Sequence, residues 1–220
     1  RPGARRPGVL PFGVVLSAGL LLAGAAVPGD ARLAPSGSDD FLMGYNNCLS
    51  HFQNDPNGDP AHIIPDLIND PNIVDVTNDP KANGTTPNIP KDSEPAPLGT
   101  GKGSGSHLKW GPHNTTPFKD PVARDPCAEL YHELYHAWEI DKGTIDPRPY
   151  PGTGDATHPS IPTAEVNATR AENAYRQAQN PPLPVRPKYG PTAIPPPLIV
   201  ADCDNDGDPG DTSDTPGVEC

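Results

Sequence analysis

The chain has 220 residues, with 22 Gly, 33 Pro, 5% aromatic residues and a formal net charge of −12. That length suits one compact domain, while so much Gly and Pro marks long stretches as irregular. The acidic balance excludes a nucleic-acid partner, which would need a basic face, and reads instead as a solvated acidic surface.

Residues 1–26 read as a signal peptide or N-terminal anchor. Arg1, Arg5 and Arg6 precede an apolar stretch from 9 to 27, and Ala23-Gly24-Ala25 supplies small-residue spacing for cleavage. The stretch approaches the length of a membrane span, but its small residues favour cleavage. The expectation is a secreted protein with no stable membrane association after signal removal, or an anchored one if the segment stays. Four cysteines in an exported chain fit two disulfides. Proximity suggests Cys203 with Cys220, leaving Cys48 with Cys127. Asn83-Gly84-Thr85, Asn114-Thr115-Thr116 and Asn167-Ala168-Thr169 match the glycosylation pattern, which carries meaning only in a eukaryotic source.

Residues 27–98 form an irregular Pro-, Asn- and Asp-rich region. Asn-Asp-Pro recurs at Asn54, Asn69 and Asn78, with Gly58-Asp59-Pro60 between. Each is a turn signal, because Asp bonds nearby backbone and Pro fixes the next φ. His62-Ile63-Ile64 and Ile73-Val74-Asp75-Val76 read as short strands between the turns.

Residues 99–195 hold the ordered domain. A Gly- and Ser-rich stretch leads into a brief strand, Leu108-Lys109-Trp110. The best helix follows, with Asp125 as N-cap, Pro126 at its first position, and Lys142-Gly143 as the stop. A second helix is predicted from Thr163, as N-cap, to about Ala178, rich in Ala and ended by Asn180-Pro181-Pro182.

The first helix carries Tyr131-His132-Glu133-Leu134-Tyr135-His136. Histidines at i and i+4 share a helical face, so both can reach one metal ion, and the adjacent Glu can hold and deprotonate a water there. This is the His-Glu-x-x-His arrangement of zinc hydrolases, set against the bland reading of two ordinary histidines on a solvated helix. Catalytic zinc takes three protein ligands. The metzincin pattern would need Gly at 139 and His at 142, where the chain has Glu139 and Lys142. The third ligand therefore comes from downstream. Glu165 and Glu172, seven apart on the second helix, are the main candidates, with His158 and Asp155 weaker ones.

The stretch from His132 to Trp138, then Ala164 to Arg176, then Leu183-Pro184-Val185-Arg186 and Tyr189-Gly190, resembles the effector-type bacterial zinc metallopeptidases, small relatives of the gluzincins. The resemblance covers about residues 99 to 192. It implies an α+β, minimal zincin-like domain: an active-site helix, a second ligand helix and a short sheet, beside long irregular regions. It also implies that Glu165, on the downstream helix, is the third zinc ligand with His132 and His136. Glu172 would then support or pack. Zn2+ would activate a water, Glu133 would act as general base, and a protein or peptide substrate would be cut. The strand at Leu108–Trp110 would be the edge that holds the peptide, and Tyr189 or Arg186 could supply an oxyanion donor. The alternative is a secreted Pro-rich surface or binding protein that keeps zinc without turnover. Residues 196–220 form an acidic tail, in which Asp202, Asp204, Asp206 and Gly207 resemble the opening of a calcium loop. Ser213 stands where the closing Glu belongs, so any Ca2+ binding there would be weak.

Overall fold

The computed structural model describes residues 32–114 and 122–195. The N-terminal segment, the Cys203–Cys220 pair and the calcium-like loop lie outside the described residues. The fold is α+β.

Four strands, β1 (Leu33–Ser36), β2 (Val74–Asn78), β3 (Gly84–Pro87) and β4 (Ser106–Trp110), form a sheet of order β1-β2-β4-β3. β1, β2 and β4 are parallel, and β3 runs antiparallel to β4 along one edge. Helices α1 (Asp39–Asn54) and α2 (Ile64–Asn69) fill the crossover from β1 to β2, and a short α3 (Pro90–Ser93) lies between β3 and β4. Helices α4 (Pro126–Asp141) and α5 (Thr163–Ala178) follow, then a two-stranded hairpin, β5 (Lys188–Tyr189) and β6 (Thr192–Ala193).

The region read as irregular therefore supplies three helices and three strands. Ser38 caps α1 by accepting from the Phe41 amide, and Asp39 and Asp40 sit in its first turn, where their charge suits the helix dipole. Phe41, Tyr45, Cys48 and Phe52 then bury one helical stripe. The Asn-Asp-Pro turns form as expected. Asp55, Asp70 and Asp79 each accept, through Oδ1, from the amide two residues on. They stand just after the ends of α1, α2 and β2. Of the two predicted strands, Val74–Val76 lies in β2. His62–Ile64 does not form a strand, because Asp59 accepts from the Ile63 and Ile64 amides and starts α2.

The core gathers the chain's few aromatic side chains. Phe52, Tyr131 and Tyr175, from three different helices, lie 5.3–5.5 Å apart between ring centroids. Trp110 packs on Phe41 and donates from its indole nitrogen to the Pro126 carbonyl. A disulfide joins Cys48 of α1 to Cys127 in the first turn of α4. α4 packs against α5, β3 and β4, and also touches α1, α2 and α3. It is buried on almost every side. Among the described residues no helix is long and apolar enough to cross a membrane.

Candidate active site

α4 starts as its sequence requires: Asp125 Oδ1 accepts from the Ala128 amide, with Pro126 at the first position. It ends at Gly143, whose φ of 68° suits a residue without a side chain. α5 begins at Thr163 itself. Pro162 is the N-cap and no side chain caps the helix, because the Thr163 hydroxyl donates to the Arg148 carbonyl instead.

Where α4 and α5 pack together, His132 Nε2 and His136 Nε2 lie 3.2 Å apart. Glu165 Oε2 sits 3.3 Å from each of them. Among the described residues these three are the one group whose donor atoms converge closely enough to hold a metal ion. Glu172 lies elsewhere. Its Oε2 is 3.2 Å from His132 Nδ1, the opposite ring nitrogen, and its carboxylate accepts from Arg176 Nε at 2.8 Å and Arg186 Nη1 at 2.7 Å. Behind His136, Glu139 Oε2 stands 3.7 Å from Nδ1, and Glu139 Oε1 accepts from Asn167. Both imidazoles thus have a carboxylate at the back and share Glu165 at the front.

Burial disfavours charge on His132, but Glu165 and Glu172 more than offset it and raise its pKa. Burial would likewise raise Glu165, yet the two imidazoles hold it well below the usual carboxylate range. Glu133 is pushed up, chiefly by burial, against the pull of the two histidines. Its Oε2 accepts from the Thr85 hydroxyl of β3 at 2.8 Å.

These residues floor an open cleft of about 620 Å³. Asn83, Thr85, Arg124 and Glu129 line one part of its wall, and Ile145, Pro147, Pro162 and Ala164 another. The edge strand beside it is β3. β4, which holds Leu108–Trp110, is covered on both sides, by β2 and by β3, so it cannot pair with a peptide. Arg186 is an anchor: besides its bond to Glu172, its amide donates to Asn173 Oδ1. Tyr189 faces the cleft, its phenol raised by burial and by the neighbouring Glu165. Asp155 and His158 pair with each other in an exposed loop, away from the cluster. The asparagines of the three glycosylation patterns use their side-chain nitrogens internally, Asn83 on Glu129, Asn114 on Asn83 and Asn167 on Glu139.

Sequence reasoning missed Thr85 and Glu129. The signal for Glu129 was its place one turn before Glu133 on the same helical face. For Thr85 there was none, because the contact spans 48 residues.

The α+β fold thus gathers histidines and glutamates on the floor of a cleft, beside a free strand edge. A family model for effector proteins, Peptidase_M91, matches residues 30–189, and the chain belongs to that family of effector-type peptidases. The match begins at residue 30, so it takes in α1 and the whole sheet. A search of curated proteins finds no match.

Proposed function

We propose that this peptidase is a zinc-dependent endopeptidase of gluzincin type, with a zincin-like arrangement of helices and edge strand. His132, His136 and Glu165 would hold the ion. The observation that carries this reading is the spacing of the three donor atoms, 3.2, 3.3 and 3.3 Å. Tetrahedral zinc with bonds of about 2.0–2.1 Å needs ligand atoms about 3.3–3.4 Å apart. The surroundings agree with it. Glu133, Glu165 and Glu172 crowd two imidazoles, and a cation among them would offset the repulsion between the carboxylates. The carboxylates behind the two histidines would fix each ring with Nε2 forward, as metal-bound imidazoles require.

Zinc in such a site supplies a Lewis acid, which makes water nucleophilic at neutral pH and polarises the scissile carbonyl. The rest falls to the chain. Glu133, beside the first histidine but outside the ligand set, takes the proton from the attacking water and passes it to the leaving amine. The free edge of β3 pairs with an extended substrate. Tyr189 can donate its phenolic hydrogen to the developing oxyanion, whereas Arg186 is committed to Glu172.

The test is metal content joined to turnover. The purified protein should hold about one zinc per chain and cleave an unfolded protein such as casein, and a chelator should stop cleavage. Glu133→Gln should keep the zinc and lose about 10²–10⁴-fold in rate. Equal rates for Glu133→Gln and the parent would refute the mechanism. Zinc binding without cleavage by either would favour the non-catalytic binding protein.

A further inference from the structure

We propose that Thr85 is a positioning residue for Glu133, tying the general base to the strand that holds the substrate. The proposal rests on the hydrolytic reading above.

β3 reads Gly84-Thr85-Thr86-Pro87 and presents no large apolar side chain. Its attachment to α4 is polar. Asn83, just before the strand, donates to Glu129, and Thr85 donates to Glu133. The two pairs match in pitch. Residues two apart on a strand lie about 6.6 Å apart along it, and residues four apart on a helix about 6 Å. Side chains on one face of the strand thus meet successive turns of the helix, and that fit fixes the strand's position along α4.

The second contact bears on the chemistry. Thr85 Oγ1 lies 2.8 Å from Glu133 Oε2 and 3.1 Å from the Glu133 carbonyl oxygen. The hydroxyl has one hydrogen, and the contact to the carboxylate oxygen is the shorter of the two, 2.8 against 3.1 Å. The carbonyl oxygen offers a second acceptor on the same residue, so the hydroxyl stays over Glu133 whichever one takes the hydrogen. A glutamate side chain turns about three bonds. Binding Oε2 stops that rotation and assigns Oε1 to the attacking water. Thr85 also belongs to the edge strand along which the peptide would lie. One residue therefore sets both the height of the scissile bond and the aim of the base.

Thr85→Val keeps the shape and β-branching and removes the hydroxyl, whereas Thr85→Ser keeps the hydroxyl. Thr85→Val should lower kcat by about 10–100-fold, the scale expected when a reacting group is misplaced by about an ångström. KM and zinc content should stay close to the parent's, while the urea midpoint falls, because buried Glu133 loses its hydroxyl partner. Thr85→Ala should behave like Thr85→Val, and Thr85→Ser should recover most of kcat. The proposal is overturned if Thr85→Val retains full kcat while Glu133→Gln abolishes cleavage, or if only KM changes. It is also overturned if Thr85→Ser fails as badly as Thr85→Val, since the methyl group and packing would then be what matters. If Glu133→Gln cleaves like the parent, the hydrolytic reading itself falls.

Discussion

Glu165 and Glu172 lie seven residues apart on one helix and both reach His132, yet the structure assigns them opposite vulnerabilities. Glu172 is fully buried, wedged between His132 and the buried guanidinium groups of Arg176 and Arg186. Replacing it with Gln keeps the volume but leaves two cations without their anion. Breaking a buried ion pair costs about 3–5 kcal/mol, against a total stability of about 5–15 kcal/mol for a domain. Glu172→Gln should therefore shift the urea midpoint strongly downward. At the proposed zinc site it should weaken binding by only about 10–100-fold, the usual effect of losing a group that orients a ligand. Glu165 is the reverse case. Its side chain is 25% exposed and its partners are the two imidazoles. Glu165→Ala should leave the urea midpoint near the parent's and abolish stoichiometric zinc at concentrations where Glu172→Gln still retains it. Urea unfolding of the metal-free proteins and zinc titration against a competing chelator measure the two effects separately. If Glu172→Gln unfolds like the parent but holds no zinc, while Glu165→Ala binds it normally, the two carboxylates have been assigned the wrong roles.

Two further expectations concern the scaffold. The Cys48–Cys127 bridge spans a sequence separation of 79, for which loop-closure entropy gives about 4.5 kcal/mol. The Cys48→Ala/Cys127→Ala double variant should lose a large part of that in urea, and a loss under about 1 kcal/mol would contradict the entropic account. At the end of α4, Asp141 Oδ1 accepts from Asn72, and burial, then nearby Asp70, raises its pKa. A carboxyl raised in the folded state stabilises the fold at acid pH, and that contribution is lost as pH rises past the ordinary carboxylate range. Asp141→Asn should thus be more stable than the parent at pH 7.5 and no more stable near pH 4. A variant less stable than the parent at pH 7.5 would show that the ionised Asp141 is worth more to Lys142 than it costs by burial.

Much of this was legible where local chemistry decides structure. The caps and stops of α4, the Asn-Asp-Pro turns and the span of α5 depend on residues within a few positions of each other. α1 carried the same kind of signal, with Ser38 ahead of Phe41, Tyr45, Cys48 and Phe52 at helical spacing. Gly44, Asn46, Asn47 and Asn54 hid it by lowering propensity and hydropathy inside the stripe. β3 was not legible at all. A strand is recognised by alternating apolar residues, and Gly84-Thr85-Thr86-Pro87 has none, because its inward-facing neighbour is the polar Glu133. Leu108–Trp110 was read as a strand but not as an interior one, since whether an edge is free depends on the strand that covers it.

The legible motif and the illegible partners have one physical origin. α4 is buried nearly all round, so it cannot be amphipathic, yet it carries Glu129, His132, Glu133, His136, Glu139 and Asp141. Polar groups out of water need partners, and beyond the His136–Glu139 pair α4 provides few of them for itself. Asn83 reaches Glu129 from just before β3, Thr85 reaches Glu133 from β3, Glu172 faces His132 and Asn167 reaches Glu139 from α5, and Asn72 reaches Asp141 from the turn before β2. The helix could be read because six acidic or histidine residues on an otherwise largely apolar segment demand an explanation. Their partners are ordinary Asn, Thr and Glu residues, which acquire meaning only when the sheet and α5 close around α4. α4 and α5 alone thus bring His132, His136 and Glu165 together but do not supply the hydroxyl that holds Glu133. Asn83, Thr85 and Asn72 come from the stretch between 70 and 90, and removing it would take the Thr85 hydroxyl from Glu133 and leave Glu129 to Arg124 and Asp141 to Lys142, with the His-Glu-x-x-His sequence intact.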